Sequence, residues 1–114
     1  LSDVSIPVSG TGYTFGQIEL TEGTWIVEGQ FYLTANGGSS RIEVAVCLNT
    51  SAGFQVQHSN IRPAIGVSNA DSIPISRTIT VTSPQTVYAV GYISFTGGSP
   101  IMQSGSSTLK AVKL

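Results

Sequence analysis

Charged side chains are scarce in this chain. Asp, Glu, Lys and Arg make up 10% of its 114 residues, against ~25% in an ordinary soluble domain. Six acids and five bases leave a net charge of −1, and neither sign clusters. Binding to a nucleic-acid backbone needs many Lys and Arg on one face, so nucleic acid is not an expected partner. Cysteine is limited to Cys47, which excludes an internal disulfide. With His58 as the single histidine, the clustered Cys and His of a tetrahedral metal site are missing, and no metal or other cofactor is expected. No apolar run approaches the ~20 residues of a membrane-spanning helix, so no membrane insertion is expected. Sustained i, i+3, i+4 apolar spacing is also absent, which excludes a coiled coil.

Catalytic patterns are missing too. The carboxylates Asp3, Glu19, Glu22, Glu28, Glu43 and Asp71 are scattered along the chain, with no pairing that marks a glycosidase dyad. His58 and Asp71 lack an accompanying G-x-S-x-G nucleophile. The glycine-rich stretch 10–16 is not followed by a helix that could present its N-terminus to a phosphate, and reads as a bend before Phe15. Asn49, Thr50 and Ser51 fit a glycosylation sequon, a pattern common by chance. The expectation is a domain that is not an enzyme.

Alternation fills the chain instead, and alternation at period two means strands. Residues 24–34 put Trp25, Val27, Gly29, Phe31 and Leu33 on one face, with Ile26, Glu28, Gln30 and Tyr32 on the other. Residues 41–49 align Ile42, Val44, Val46 and Leu48 opposite Arg41, Glu43, Ala45 and Cys47. Residues 73–82 set Ile75, Ile79 and Val81 against Thr78, Thr80 and Thr82. Further strands are expected at 86–95 and 108–114, with weaker ones at 5–8, 15–20 and 54–58. Glycine and proline turns at 21–23, 36–38, 83–85 and 96–100 separate them. About eight short strands in a chain of this length predict one all-β domain, an antiparallel two-sheet sandwich or barrel spanning residues 1–114.

The second faces are informative. A sheet with one buried face should be polar on the other. Residues 86–95 instead offer Val87, Ala89, Gly91, Ile93 and Phe95 one way and Tyr88, Val90 and Tyr92 the other. The last strand places Leu109 and Ala111 opposite Val112 and Leu114. One small domain has one core, so a second apolar face predicts self-association.

The order of segments carries a resemblance. A strand with Gly23, Thr24, Trp25, Val27, Gly29, Phe31 and Leu33 follows a Thr-Glu-Gly turn. After a glycine-rich turn comes Ile42, Val44, Val46 and Leu48; then Thr78, Ile79, Thr80 and Val81 lead into Ser83, Pro84, Gln85, Thr86, Val87 and Tyr88. The chain closes on Gly105 to Leu114. This resembles the jelly-roll domains of the tumour-necrosis-factor-like and complement-head-like families, most of all the compact versions at the distal tips of bacteriophage tail fibres and tail needles.

The resemblance implies a homotrimeric jelly-roll knob, the C-terminal part of a longer fibrous protein on the virion surface, at a tail or head appendage. The start at Leu1 rather than Met fits such a fragment. Its inner sheet would include 24–34, 86–95 and 108–114 and would face a threefold axis. The implied trimer interface is Ile26, Glu28, Gln30, Tyr32, Tyr88, Tyr92, Lys110, Val112 and Leu114, with Glu28 and Lys110 paired between subunits. A two-residue turn at Pro84 and Gln85 would put Tyr88 on the core side, whereas a crossing between sheets would free it. Loops carry specificity on such scaffolds, and His58, Asn60 and Arg62 offer donors for an anionic or sugar ligand. The implied partners are sister copies and a bacterial surface glycan or protein receptor. The alternatives are a carbohydrate-binding module or lectin of a secreted, extracellular bacterial protein, and a cytokine- or complement-head-like signalling domain.

Overall fold

The alternating residues become the two inner faces of a sandwich. The structure, a computed structural model, describes residues 1–34, 40–54, 59–63 and 71–114, with side chains for all of these except 40–42, 59–63 and 71. Eight strands are described: β1 (Val4–Ser5), β2 (Gly12–Leu20), β3 (Gly23–Thr34), β4 (Ser40–Asn49), β5 (Ser59–Pro63), β6 (Asp71–Val81), β7 (Gln85–Thr96) and β8 (Ile101–Lys113). They form two four-stranded sheets, ordered β1-β8-β3-β6 and β2-β7-β4-β5. Every pairing is antiparallel. The expected two-sheet antiparallel sandwich is therefore the architecture.

Val27, Phe31 and Leu33 of β3, with Ile73, Ile75, Ile79 and Val81 of β6, face Val44, Val46 and Leu48 of β4 and Val87, Ala89 and Ile93 of β7. Each large side chain so buried stabilises the fold by about 1.5–3 kcal/mol. Phe15 enters this core through a β-bulge. Thr14 pairs with Val90 and Gly16 with Ala89, so Phe15 is the extra residue on β2. Its ring lies 5.5 Å from that of Phe31. The two rings fit because the positions beneath them are glycines. A Cβ on Gly91 would collide with the Phe15 ring, and one on Gly29 with the Phe31 ring.

The turns follow their residue types. Gly23, Gly97 and Gly98 all take positive φ, as the reversals before β3 and between β7 and β8 require. A second bulge interrupts β8. Gln30 of β3 pairs with Thr108 and Tyr32 with Gln103, so residues 104–107 loop out of register. Ser107 repairs the gap: its hydroxyl accepts from the Tyr32 N–H at 2.9 Å and donates to the Gln103 carbonyl at 2.7 Å. The chain start ties onto the same bulge, where the Asp3 carboxylate accepts the Ser104 N–H and hydroxyl, both at 2.8 Å.

Two expectations change. Residues 86–95 do not share a sheet with 24–34 and 108–114: β7 lies in the second sheet and β3 and β8 in the first. The segment between β6 and β7 crosses from sheet to sheet, so no hairpin sets Val81 against Tyr88. Of the weak strand expected at 54–58, Phe54 lies outside any strand and 55–58 lie outside the described residues; the next described strand, β5, runs from Ser59 to Pro63. The last strand is longer than its apolar end suggested, since it begins at Ile101. Its first half is rich in Ser, Gln and Gly and gives little alternation to read.

Candidate self-association face and a polar groove

Each sheet turns its other face outward, and the two outer faces differ. On the second sheet, Ala45, Cys47 and Asn49 of β4 stand beside Tyr92, Val90 and Tyr88 of β7. Ala45, Cys47 and Val90 are buried although they point away from the main core. Residues 50–54 fold back beside Cys47 and Val90. The Asn49 amide nitrogen donates to the Gly53 carbonyl at 2.8 Å and to the Ser51 hydroxyl at 3.1 Å, while its oxygen accepts the Thr50 N–H at 2.8 Å. The Cys47 thiol lies 3.8 Å from the same Gly53 carbonyl. Phe54 then stacks on Tyr92, with ring centroids 5.1 Å apart. A flap of the chain itself thus covers the apolar patch that suggested a sister subunit. Tyr88 and Tyr92, assigned above to the trimer interface, lie on this sheet and apart from the other seven residues.

On the first sheet no described segment covers the outer face. Register places Ile26 between Val112 and Thr78, Glu28 between Lys110 and Ser76, Gln30 between Thr108 and Pro74, and Tyr32 between Gln103 and Ser72. Glu28 and Lys110 form an ion pair of 3.6 Å within the chain, with side chains 46% and 67% exposed. The pairing expected between subunits is here made within a single chain, since the residues are directly opposed on neighbouring strands. Such an exposed pair contributes about 0–1 kcal/mol. The other polar groups also bond sideways. Gln30 donates to the Ser72 hydroxyl at 2.9 Å, Gln103 to the Thr34 hydroxyl at 3.1 Å, and the Thr24 and Thr80 hydroxyls meet at 2.9 Å. Among these self-satisfied groups stand Ile26, Val112 at 53% exposure and, just past the end of β8, Leu114 at 69%. A face built this way loses little when water leaves it.

No protein-family model matches this chain, and no curated protein matches its sequence.

A third feature lies where β6 meets the end of β4. Arg77 is in phase with Ile75 and Ile79, on the inward side of its strand, and pairs with Val27. Its guanidinium Nη1 donates to the Leu48 carbonyl at 2.8 Å. An open groove of about 310 Å³ runs beside it, lined by Thr50, Arg77–Val81, Thr82, Ser83 and Gln85. Sequence reading missed Arg77. The signal was present as a lone cation in the apolar phase of residues 73–81.

The predicted ligand residues fare differently. His58 lies outside the described residues. Asn60 and Arg62 stand on edge strand β5, at the register positions of Val46 and Val44, and not in the expected loop; their side chains also lie outside the described residues. Among the described residues, no group of three or more His, Cys, Asp or Glu is close enough to hold a metal ion. Among the titratable groups of the described residues, Asp3 departs clearly from its ordinary value. The Ser104 backbone N–H, then the Ser104 hydroxyl, hold its carboxyl below the usual 3.8.

Proposed function

We propose that this domain is a non-enzymatic, homotrimeric jelly-roll knob, the tip of a bacteriophage tail fibre, tail needle or head appendage, exposed on the virion and contacting the bacterial surface. The strand orders β1-β8-β3-β6 and β2-β7-β4-β5 support the jelly-roll part of this reading. They are what two nested Greek keys produce when eight strands fold into two sheets.

The observation that carries the trimer is the contrast between the two outer faces. Residues 50–54 lie over Cys47 and Tyr92 of the second sheet, whereas no described segment covers the face of β8, β3 and β6, where Ile26, Val112 and Leu114 stand among satisfied polar groups. Three copies packed by this face around an axis would bury Ile26, Glu28, Gln30, Tyr32, Lys110, Val112 and Leu114. The Glu28–Lys110 pair would enter the interface as a neutral unit, which avoids the cost of burying one charge alone. Three linked copies also raise the effective concentration of weak receptor contacts, so no single site needs to be tight.

Sedimentation equilibrium at micromolar concentration tests the reading. The expected mass is that of three chains, and Val112→Lys should shift it toward one. A wild-type chain that stays monomeric under these conditions overturns the knob.

A further inference from the structure

We propose that the groove beside Arg77 binds an acidic sugar, a pyranose bearing a carboxylate. The inference deepens the receptor-contacting role above and rests on that reading for its biological meaning. Arg77 is the charged group of the groove. Its guanidinium is oriented by the bond to the Leu48 carbonyl, which uses one of five N–H donors. No carboxylate lies within ion-pair distance of it among the described residues. A half-buried guanidinium held in place, with no carboxylate beside it among the described residues, suits the planar, bidentate geometry of a carboxylate.

The rest of the lining suits sugar hydroxyls. Thr50, Thr82 and Ser83 among the lining residues carry hydroxyls that both donate and accept, whereas Thr78 stands on the outer face opposite Ile26. Thr80 is already engaged with Thr24. The Gln85 amide nitrogen leans toward the Thr50 and Thr86 carbonyls at 3.3 and 3.4 Å, while its oxygen takes no donor among the described residues. Ile79 and Val81 are the apolar members, and no aromatic ring lines the groove. A neutral sugar would therefore find no stacking platform, and the charge must supply most of the affinity. The volume of about 310 Å³ is at the small end of ligand sites, which fits one sugar unit and not a long chain.

Titration of the ¹⁵N-labelled protein with sodium glucuronate, glucose or inorganic phosphate, followed by amide shifts, tests this. Glucuronate should give saturable shifts at Thr78, Thr82, Ser83 and Gln85, with an affinity at least about tenfold above that for glucose or phosphate. Arg77→Gln should bring glucuronate down to the level of glucose. Ser83→Trp, placed at the exposed rim and away from the Arg77–Leu48 bond, should block all binding while leaving the fold intact. Absence of saturable shifts at tens of millimolar overturns the site; equal binding of glucose removes the acid, and equal binding of phosphate removes the sugar. Oligomeric state is read separately. A monomer that binds glucuronate through Arg77 keeps this site and loses the knob, and a trimer that does not bind keeps the knob and loses the site.

Discussion

Replacing Gly91 by alanine should unsettle the core more than any other single-methyl addition at the glycines discussed here. The new Cβ would come within 2.6 Å of Phe15 Cε1 and closer still to Cζ and Cε2. Ordinary contact begins near 3.4 Å, so the ring must retreat by about 1 Å or more. Phe15 is 2% exposed, and the Phe31 ring stands 5.5 Å away. If the ring stays inside, overpacking costs about 1–3 kcal/mol. Swinging it outward instead forfeits about 2–3 kcal/mol of burial. Removing a glycine from the unfolded chain returns about 0.4–1 kcal/mol. The net loss is then about 2 kcal/mol, or roughly 8 °C in Tm for a domain of this size.

Urea unfolding followed by Trp25 fluorescence measures the loss, and a double-mutant cycle with Phe15→Ala assigns its cause. In the Phe15→Ala background the ring is gone, so Gly91→Ala should be neutral or slightly stabilising. Gly53→Ala is the control, because nothing lies within 4 Å of a Cβ there; it should stay within about 0.5 kcal/mol of wild type. Equal cost of Gly91→Ala with and without Phe15 would refute the steric argument.

Three further outcomes are expected. Phe54→Ala should cost about 1–2 kcal/mol and speed the reaction of the native protein's Cys47 with a thiol reagent; unchanged reactivity would mean the flap does not protect it. Asp3→Asn should lower stability at neutral pH. Because the folded-state pKa is depressed, the contribution is present above the ordinary 3.8 and lost as pH falls through the folded value, so thermal melts of the two proteins should converge in acid. Glu28→Ala should change the stability of the single chain by less than about 1 kcal/mol, with an effect that shrinks in high salt. If the knob assembles as proposed, the same variant leaves Lys110 unpaired in the interface and weakens the trimer, which sedimentation would detect.

Period-two alternation made the inward faces of β3, β4 and β7 legible, because the residue types at Val27, Phe31, Val44, Val46, Val87 and Ile93 leave one way to bury them. It did not say which sheet a strand joins. Residues 86–95 read the same in either sheet, and only the crossing after Val81 puts Tyr88 and Tyr92 behind the second one. The apolar pair Cys47 and Val90 was equally ambiguous. A sister subunit and a folded-back flap both hide such a patch, and the flap depends on the Asn49 amide bonds, which alternation does not encode. Arg77 escaped notice for a related reason. Its partner, the Leu48 carbonyl, is a backbone group with no trace in side-chain pattern.

The sheet order has a consequence for how the chain reaches this state. In the first sheet β8 lies between β1 and β3, so the final strand joins the earliest one to the middle of the domain. Until residues 101–113 are available, β1 has no neighbour and one edge of β3 is unpaired along its length. Asp3 likewise waits for Ser104, 101 residues away. A nascent chain would therefore carry an open, partly apolar edge until β8 emerges, and such edges recruit other strands. Completion should come late and all at once. Folding should be slow, as expected when pairing joins distant segments, and a chain cut before β8 should aggregate and not wait as a soluble half-domain.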